Sequence, residues 1–191
     1  VDNQIDKIGV HKSYNLLEHS KFINNLREIK NILLFSKSNK SNVFDEVILK
    51  MTSILNEYFH LDGSLALFNG TNNVYTIDIY KSLNKESYLK KRDFSNINNG
   101  IAFYSDKNKK VFFDVVQPNS DMISSNLSAG TLSVELSGFG EKILTNCGAS
   151  ESFGKNPEYL RYSAAHSTII LQNTNISEIK ENNPHVKFPQ S

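Results

Sequence analysis

Thr131-Leu132-Ser133-Val134-Glu135-Leu136-Ser137-Gly138-Phe139-Gly140-Glu141-Lys142-Ile143-Leu144-Thr145-Asn146 is the stretch that sets the fold class. Two runs rich in β-branched and aliphatic residues, 131–136 and 142–146, flank Ser137-Gly138-Phe139-Gly140. That is the pattern of an antiparallel hairpin: period two on either side of a short glycine-bearing connection. Working outward, the same period marks candidate strands at 65–68, 74–79, 101–104, 110–116 and 167–171, with a second hairpin connection at Ser105-Asp106-Lys107-Asn108-Lys109. Residues 81–99 are polar, 117–128 form a Pro/Asn/Ser/Asp-rich loop, and 172–191 carry no strong pattern.

Upstream of Asp62-Gly63 the period changes. Leu16, Ile23, Leu26, Ile29 and Leu33 recur near a helical spacing, widened by Leu17, Phe22 and Ile32, with Ser13 as the expected N-cap. A polar connection, Ser36 to Asn42, separates this from a second stripe of Phe44, Val47, Ile48, Met51, Ile54, Leu55 and Tyr58. Helices are therefore expected over about 13–35 and 42–59, as an antiparallel hairpin. Two amphipathic helices cannot bury their stripes alone. The stripe of Leu16, Ile23, Leu26, Phe44, Ile48, Met51 and Leu55 is thus expected to stay partly uncovered, the mark of a larger helical unit continuing upstream. Helices followed by strands predict segregated layers rather than alternating βαβ units.

Composition narrows the function. With 191 residues the chain can bury a core without staples, and 21 Lys+Arg against 20 Asp+Glu leave a formal charge of +1. A nucleic-acid binder needs a clustered basic excess, which is missing. The single cysteine, Cys147, excludes an internal disulfide framework or a cysteine-rich zinc module. No apolar run approaches the roughly 18 residues of a membrane span, and no signal peptide is visible. The chain opens at Val1 rather than Met, which leaves room upstream for a native start and an export signal. The 24 Asn, 23 Ser and 18 Lys against 3 Arg read as a low-GC coding bias rather than disorder, since 12 Phe and 8 Tyr are spread along the chain.

Three segments in order carry a resemblance: Ala129 to Ser137, then Ile143-Leu144-Thr145-Asn146-Cys147-Gly148, then Ala164-Ala165-His166-Ser167-Thr168. They resemble the sandwich signature of heparinase II/III-like polysaccharide lyases, His-x-Gly-x-x-Ser-Phe-Glu-Leu, Asp/Asn-x-Gly and Ala-His-Ser/Asn-Thr. His60 to Gly70 is similar to the segment where such proteins leave their helical toroid. The resemblance spans roughly residues 8 to 180. It implies a fold that is α then β: a helical hairpin left over from an α/α toroid (1–62), then an incomplete antiparallel β-sandwich (63–191), with the glycan bound between them.

The resemblance also implies chemistry. Lyases of this family cleave uronic-acid glycans by β-elimination, which needs donors on the carboxylate, a base for the C5 proton and an acid for the leaving oxygen. His11 and His19 match a family pattern, Asp-Gly-x-His-x-x-x-x-x-x-Tyr-His, with Ile8 in place of its Asp and Glu18 in place of its Tyr. This implies a catalytic role for His19 at the carboxylate and substrate binding for His11; both also suit ordinary polar positions of a helix and its entry loop. Tyr75 stands at about the separation of the family's tyrosine base and acid, although a strand tyrosine commonly packs in a core. Arg161 could bind an anionic sugar or pair with Glu158. His166 and Asn146 fall where the family holds a metal or completes the site, but Ser128 replaces an expected histidine. Zinc would be the candidate, with a poor donor set; otherwise His166 is a buried, hydrogen-bonded histidine at a strand start. Glu135, between Val134 and Leu136, reads as a partnered or solvent-facing strand residue.

The implied partners are an acidic polysaccharide and the remaining toroid and sandwich segments of the same protein, with no nucleic acid and no membrane span. The implied location is the periplasm or cell envelope of a bacterium. A non-catalytic carbohydrate-binding or envelope-biogenesis protein of the same fold is the alternative, favoured by Ser128 and Asn146.

Overall fold

A computed structural model describes residues 3–38, 40–72, 79, 100–115, 128–149, 157–179 and 186–187. Helix α1 (Leu16–Phe35) begins where the apolar stripe begins. Its cap is Asn15, not Ser13: the Asn15 side chain accepts the Leu17 and Glu18 amides, while the Ser13 hydroxyl sits one step back and accepts the Asn15 amide at 3.1 Å. The helix ends at Ser36, with Lys37 left-handed (φ 54°) and the Ser38 amide reaching back to the Leu33 carbonyl at 2.9 Å. A short 3₁₀ turn (Ser41–Phe44) leads into α2 (Asp45–Glu57), and Lys30 of α1 pairs with Asp45.

The chain then turns sharply through His60–Ser64, where Gly63 takes a positive φ of 81°. Four strands follow as an antiparallel meander in the order β1-β2-β3-β4: β1 (Ile101–Ser105), β2 (Lys109–Asp114), β3 (Val134–Gly138) and β4 (Glu141–Leu144). The β3–β4 hairpin turns on Phe139-Gly140, both with positive φ (53° and 86°), as a two-residue turn matched to strand twist requires. Two residue pairs form a separate ribbon, β5 (Glu178–Ile179) and β6 (Val186–Lys187).

Helices and sheet share one core. Met51 and Leu55 of α2, Ile23 and Leu26 of α1, and Leu65 and Phe68 pack with Ile101, Phe103 and Phe112 of the sheet. Phe112 is its centre, stacked on Tyr58 at 6.2 Å and edge-on to Phe68 at 6.4 Å between ring centroids. The fold is therefore α then β, as expected.

Several expectations need correction. Of the stripe expected to lie partly uncovered, Leu16, Ile23, Leu26, Ile48, Met51 and Leu55 are buried and Phe44 is half-buried, because the sheet and residues 5–10 and 65–68 close over it. The apolar side chains left exposed on the helices and their connection are Ile29 and Ile32, from the far end of the α1 stripe, with Leu34, Phe35, Val43 and Leu49. Residues 65–68 are not a strand. Leu65 bridges only Phe59, the Ala66 amide goes to the Tyr58 carbonyl, and the Leu67 amide goes to a side chain, that of Glu135. Residues 167–171 are not a strand either: 3₁₀ turns at Pro157–Arg161 and Ser163–Ala165 precede them, and Ile169, Ile170 and Leu171 are exposed. The strand expected at 131–136 starts later because Leu132 occupies a turn with φ 63°. The one expected at 142–146 is shifted to Glu141–Leu144, freeing Asn146 from the ladder. The strand expected at 74–79 lies outside the described residues except for Ile79, which is buried.

Candidate functional site: a histidine-lined pocket and a buried polar seam

Ahead of α1, residues 4–12 fold back on themselves, with Ile5 bridging His11 and the Lys12 amide bound to the Gln4 carbonyl. This brings His11 over the first turn of the helix. His11, His19, Val10, Tyr14, Asn15, Leu16, Tyr58 and Ile101 line a small pocket where entry loop, helices and sheet meet. His11 Nδ1 lies 2.8 Å from the Ser13 hydroxyl and accepts the Ser13 amide at 3.3 Å. His19 Nδ1 accepts the His11 amide at 3.3 Å, and its Nε2 lies 2.9 Å from the Met51 carbonyl oxygen. Burial holds the His19 imidazole down at about 4, against the Met51 hydrogen bond and with a further downward push from His11. Burial also lowers His11, opposed by the Glu18 carboxylate.

The second feature is one the sequence did not disclose. The face of the sheet turned to the helices carries Lys110, Asp114, Glu135 and Ser137 beside Phe112, all buried, while Val134 and Leu136 are only half-buried. Glu135 is completely buried and works as a hub. Its Oε2 lies 2.7 Å from His60 Nε2, and its Oε1 accepts the amides of Leu67 (3.1 Å) and Asn146 (2.9 Å) and the Thr145 hydroxyl (3.3 Å). Lys110 Nζ donates to the Phe59 carbonyl at 2.6 Å and stands over the Phe112 ring, and Lys142 Nζ donates to the Leu65 carbonyl at 3.2 Å. Alternation identifies residues that share a face, but not which face is buried. The available signal was a carboxylate among aliphatic residues, opposite a sequence containing His60.

His166 and Asn146 are drawn into the same region. The Asn146 side chain accepts the Ser167 amide at 3.0 Å and hydroxyl at 3.2 Å, and donates to the Ser133 hydroxyl at 3.4 Å. The His166 ring packs so closely on Gly130 that a Cβ there would stand 3.0 Å from its Cγ. His166 closes a 3₁₀ turn rather than opening a strand; its ring bonds the Leu160 backbone, while Nε2 is buried with no partner among the described residues. Burial lowers His166, countered by that bond and by Glu135. Ser128, two residues before Gly130, is half-exposed. These residues do not suit zinc: Asn146 spends its amide on Ser167 and Ser133, and Ser128 offers only a hydroxyl. Among the described residues, no three His, Cys, Asp or Glu side chains stand together as metal ligands.

Arg161 ends a 3₁₀ turn, its carbonyl accepting the Ala129 amide at 2.8 Å, so its loop is tied to the segment that precedes β3. Tyr75 lies outside the described residues.

A helical hairpin followed by an antiparallel sheet is also the order of elements in lyases of known structure that this chain overlays. The chain overlays on the heparan sulfate lyase HepC from Pedobacter heparinus with a TM-score of 0.67 at 16% identity, covering 91% of this chain and 31% of that one. It overlays on the heparinase III BT4657 gene product with a TM-score of 0.72 at 12% identity, covering 92% and 31%. On a further heparinase III the TM-score is 0.64 at 15% identity, covering 91% and 34%. At these identities the likeness concerns the fold, and the chain spans about a third of the length of these proteins. The family model "Heparinase II/III-like, C-terminal" matches residues 90–187. The chain belongs to the heparinase II/III-like family. A comparison with curated protein sequences finds no match. Among the described residues no helix is long and apolar enough to cross a membrane.

Proposed function

We propose that the chain is part of a polysaccharide lyase that cleaves uronic-acid glycans by β-elimination. The observation that carries this reading is the histidine-lined pocket at the start of α1, on a fold shared with heparinases. In that reaction the C5 proton passes to a base, the C4–O bond breaks, and the leaving oxygen takes a proton. The product is a shortened chain with an unsaturated sugar at the new end. The C5 proton becomes acidic when donors hold the neighbouring carboxylate, the task we give His11. Tyr75 is the proposed base and acid, Arg161 a proposed contact for an anionic sugar, and no metal takes part in the proposed reaction. Residues 1–62 and 63–191 correspond to the end of a toroid and the start of a sandwich, completed by further segments of the same protein. The proposed setting is the bacterial periplasm or envelope, where such glycans lie.

Binding without cleavage is the second reading. It is favoured by Ser128, where the family places a histidine, and by Asn146, whose amide is committed to Ser167. Incubation of the whole protein with heparan sulfate and with unsulfated uronic-acid polysaccharides separates the two. Rising ultraviolet absorbance from the unsaturated product is the expected result. Glycan binding with flat absorbance would replace the lyase with the binding protein.

A further inference from the structure

We propose that His19 is a positioning residue, a neutral imidazole that fixes the loop bearing His11, and that His11 is the imidazole that meets a substrate carboxylate. The second half rests on the function proposed above; the first half stands on hydrogen-bond geometry alone.

A backbone amide can only donate. The His11 amide points at His19 Nδ1, so that nitrogen carries no proton, and the ring's proton belongs on Nε2, facing the Met51 carbonyl. Both nitrogens of His19 are thereby spent on backbone groups, one in the entry loop and one in α2. A second proton would set an N–H against the His11 N–H. The ring cannot take up a substrate proton without releasing the loop, nor donate to a carboxylate without releasing the Met51 carbonyl of α2.

His11 differs. The Ser13 hydroxyl accepts the Asn15 amide, which leaves its own hydrogen for His11 Nδ1, and the Ser13 amide donates to that same nitrogen. Asn15 in turn is fixed by capping Leu17 and Glu18. This chain of bonds runs from the first turn of α1 to the His11 ring and places its proton on Nε2. That nitrogen has no hydrogen-bond partner among the described residues, and the ring lines the pocket. The pocket therefore presents the His11 Nε2–H, beside the side-chain amide of Asn15, as a donor suited to a uronate carboxylate.

Long-range proton–nitrogen correlation spectra of the ¹⁵N-labelled whole chain test the first half without any glycan. His19 should show one bare and one protonated ring nitrogen, unchanged from about pH 8 to about pH 5. Titration near the reference value of about 6.5, or a proton on Nδ1, would overturn it. A double-mutant cycle tests the second half, read as binding of a heparan sulfate oligosaccharide. His19→Phe should weaken binding about tenfold in the unaltered chain and less than about twofold in a His11→Ala background. Equal losses in both backgrounds would mean that His19 touches the glycan itself and would refute the assignment. If the unaltered chain bound no heparan sulfate, the role of His11 and the proposed function would fall together, and the nitrogen spectra would still decide His19.

Discussion

At the scale of single residues, His19 makes stability depend on pH in a direction that can be worked out. In the folded chain its imidazole is held near 4, whereas in the unfolded chain it returns to the reference value of about 6.5. Between those values the unfolded state binds a proton that the folded state refuses, so stability is complete above about 6.5 and falls as the pH drops toward 4. The loss from this one ring approaches about 3 kcal/mol, and His11 and His166, also lowered by burial, act in the same direction. Denaturant titrations at a series of pH values should show this slope, and His19→Phe should flatten it. A stability unchanged between pH 7 and pH 4 would contradict the buried neutral ring. The family resemblance gave the carboxylate to His19 and substrate binding to His11; the division proposed here differs because it rests on which nitrogen faces which backbone group, a property of the fold that no sequence pattern carries.

Among the elements, the β3–β4 hairpin offers the most direct test. Phe139 is 81% exposed yet holds a left-handed backbone (φ 53°), so it bears a steric cost with little burial in return. Phe139→Asn or Phe139→Gly should relieve about 1 kcal/mol and raise the melting temperature by a few degrees. A lower melting temperature would mean that Phe139 is held by packing. Elements defined by their own side chains were legible: both helices, the strands at 101–104 and 110–116, and this hairpin emerge close to where period and turn chemistry put them. The elements misread were those whose backbone partners are side chains. The run at 65–68 is apolar and buried, but its Leu67 amide is taken by Glu135; the Ser167 amide is taken by Asn146. Local pattern carries no trace of a partner sixty-eight residues away.

For the whole molecule, Glu135 is the test of how helices and sheet are joined. Glu135→Ala would leave His60 Nε2 and the Leu67 and Asn146 amides buried without their acceptor. A loss of about 3–5 kcal/mol is expected, read from the denaturation midpoint, with a smaller loss for Glu135→Gln, which keeps one acceptor. A change below about 1 kcal/mol would show that water replaces the carboxylate and that the seam is not a structural joint.

The same seam bears on the order in which the chain assembles. Its contacts join residues far apart in sequence: His60 to Glu135 across 75 positions, Lys142 to Leu65 across 77, and Lys110 to Phe59 across 51. The α1–α2, β1–β2 and β3–β4 hairpins, by contrast, join near neighbours, and even the β2–β3 pairing, from Lys109–Asp114 to Val134–Gly138, spans a shorter stretch of chain than the seam. Closing long loops costs chain entropy before any contact is made, so local units form first and distant ones set the pace. Each unit on its own would carry unmatched polar groups toward its future partner, chief among them the Glu135 carboxylate and the Leu67 amide. Docking is then the slow step of folding, and it accepts only the register in which those groups meet.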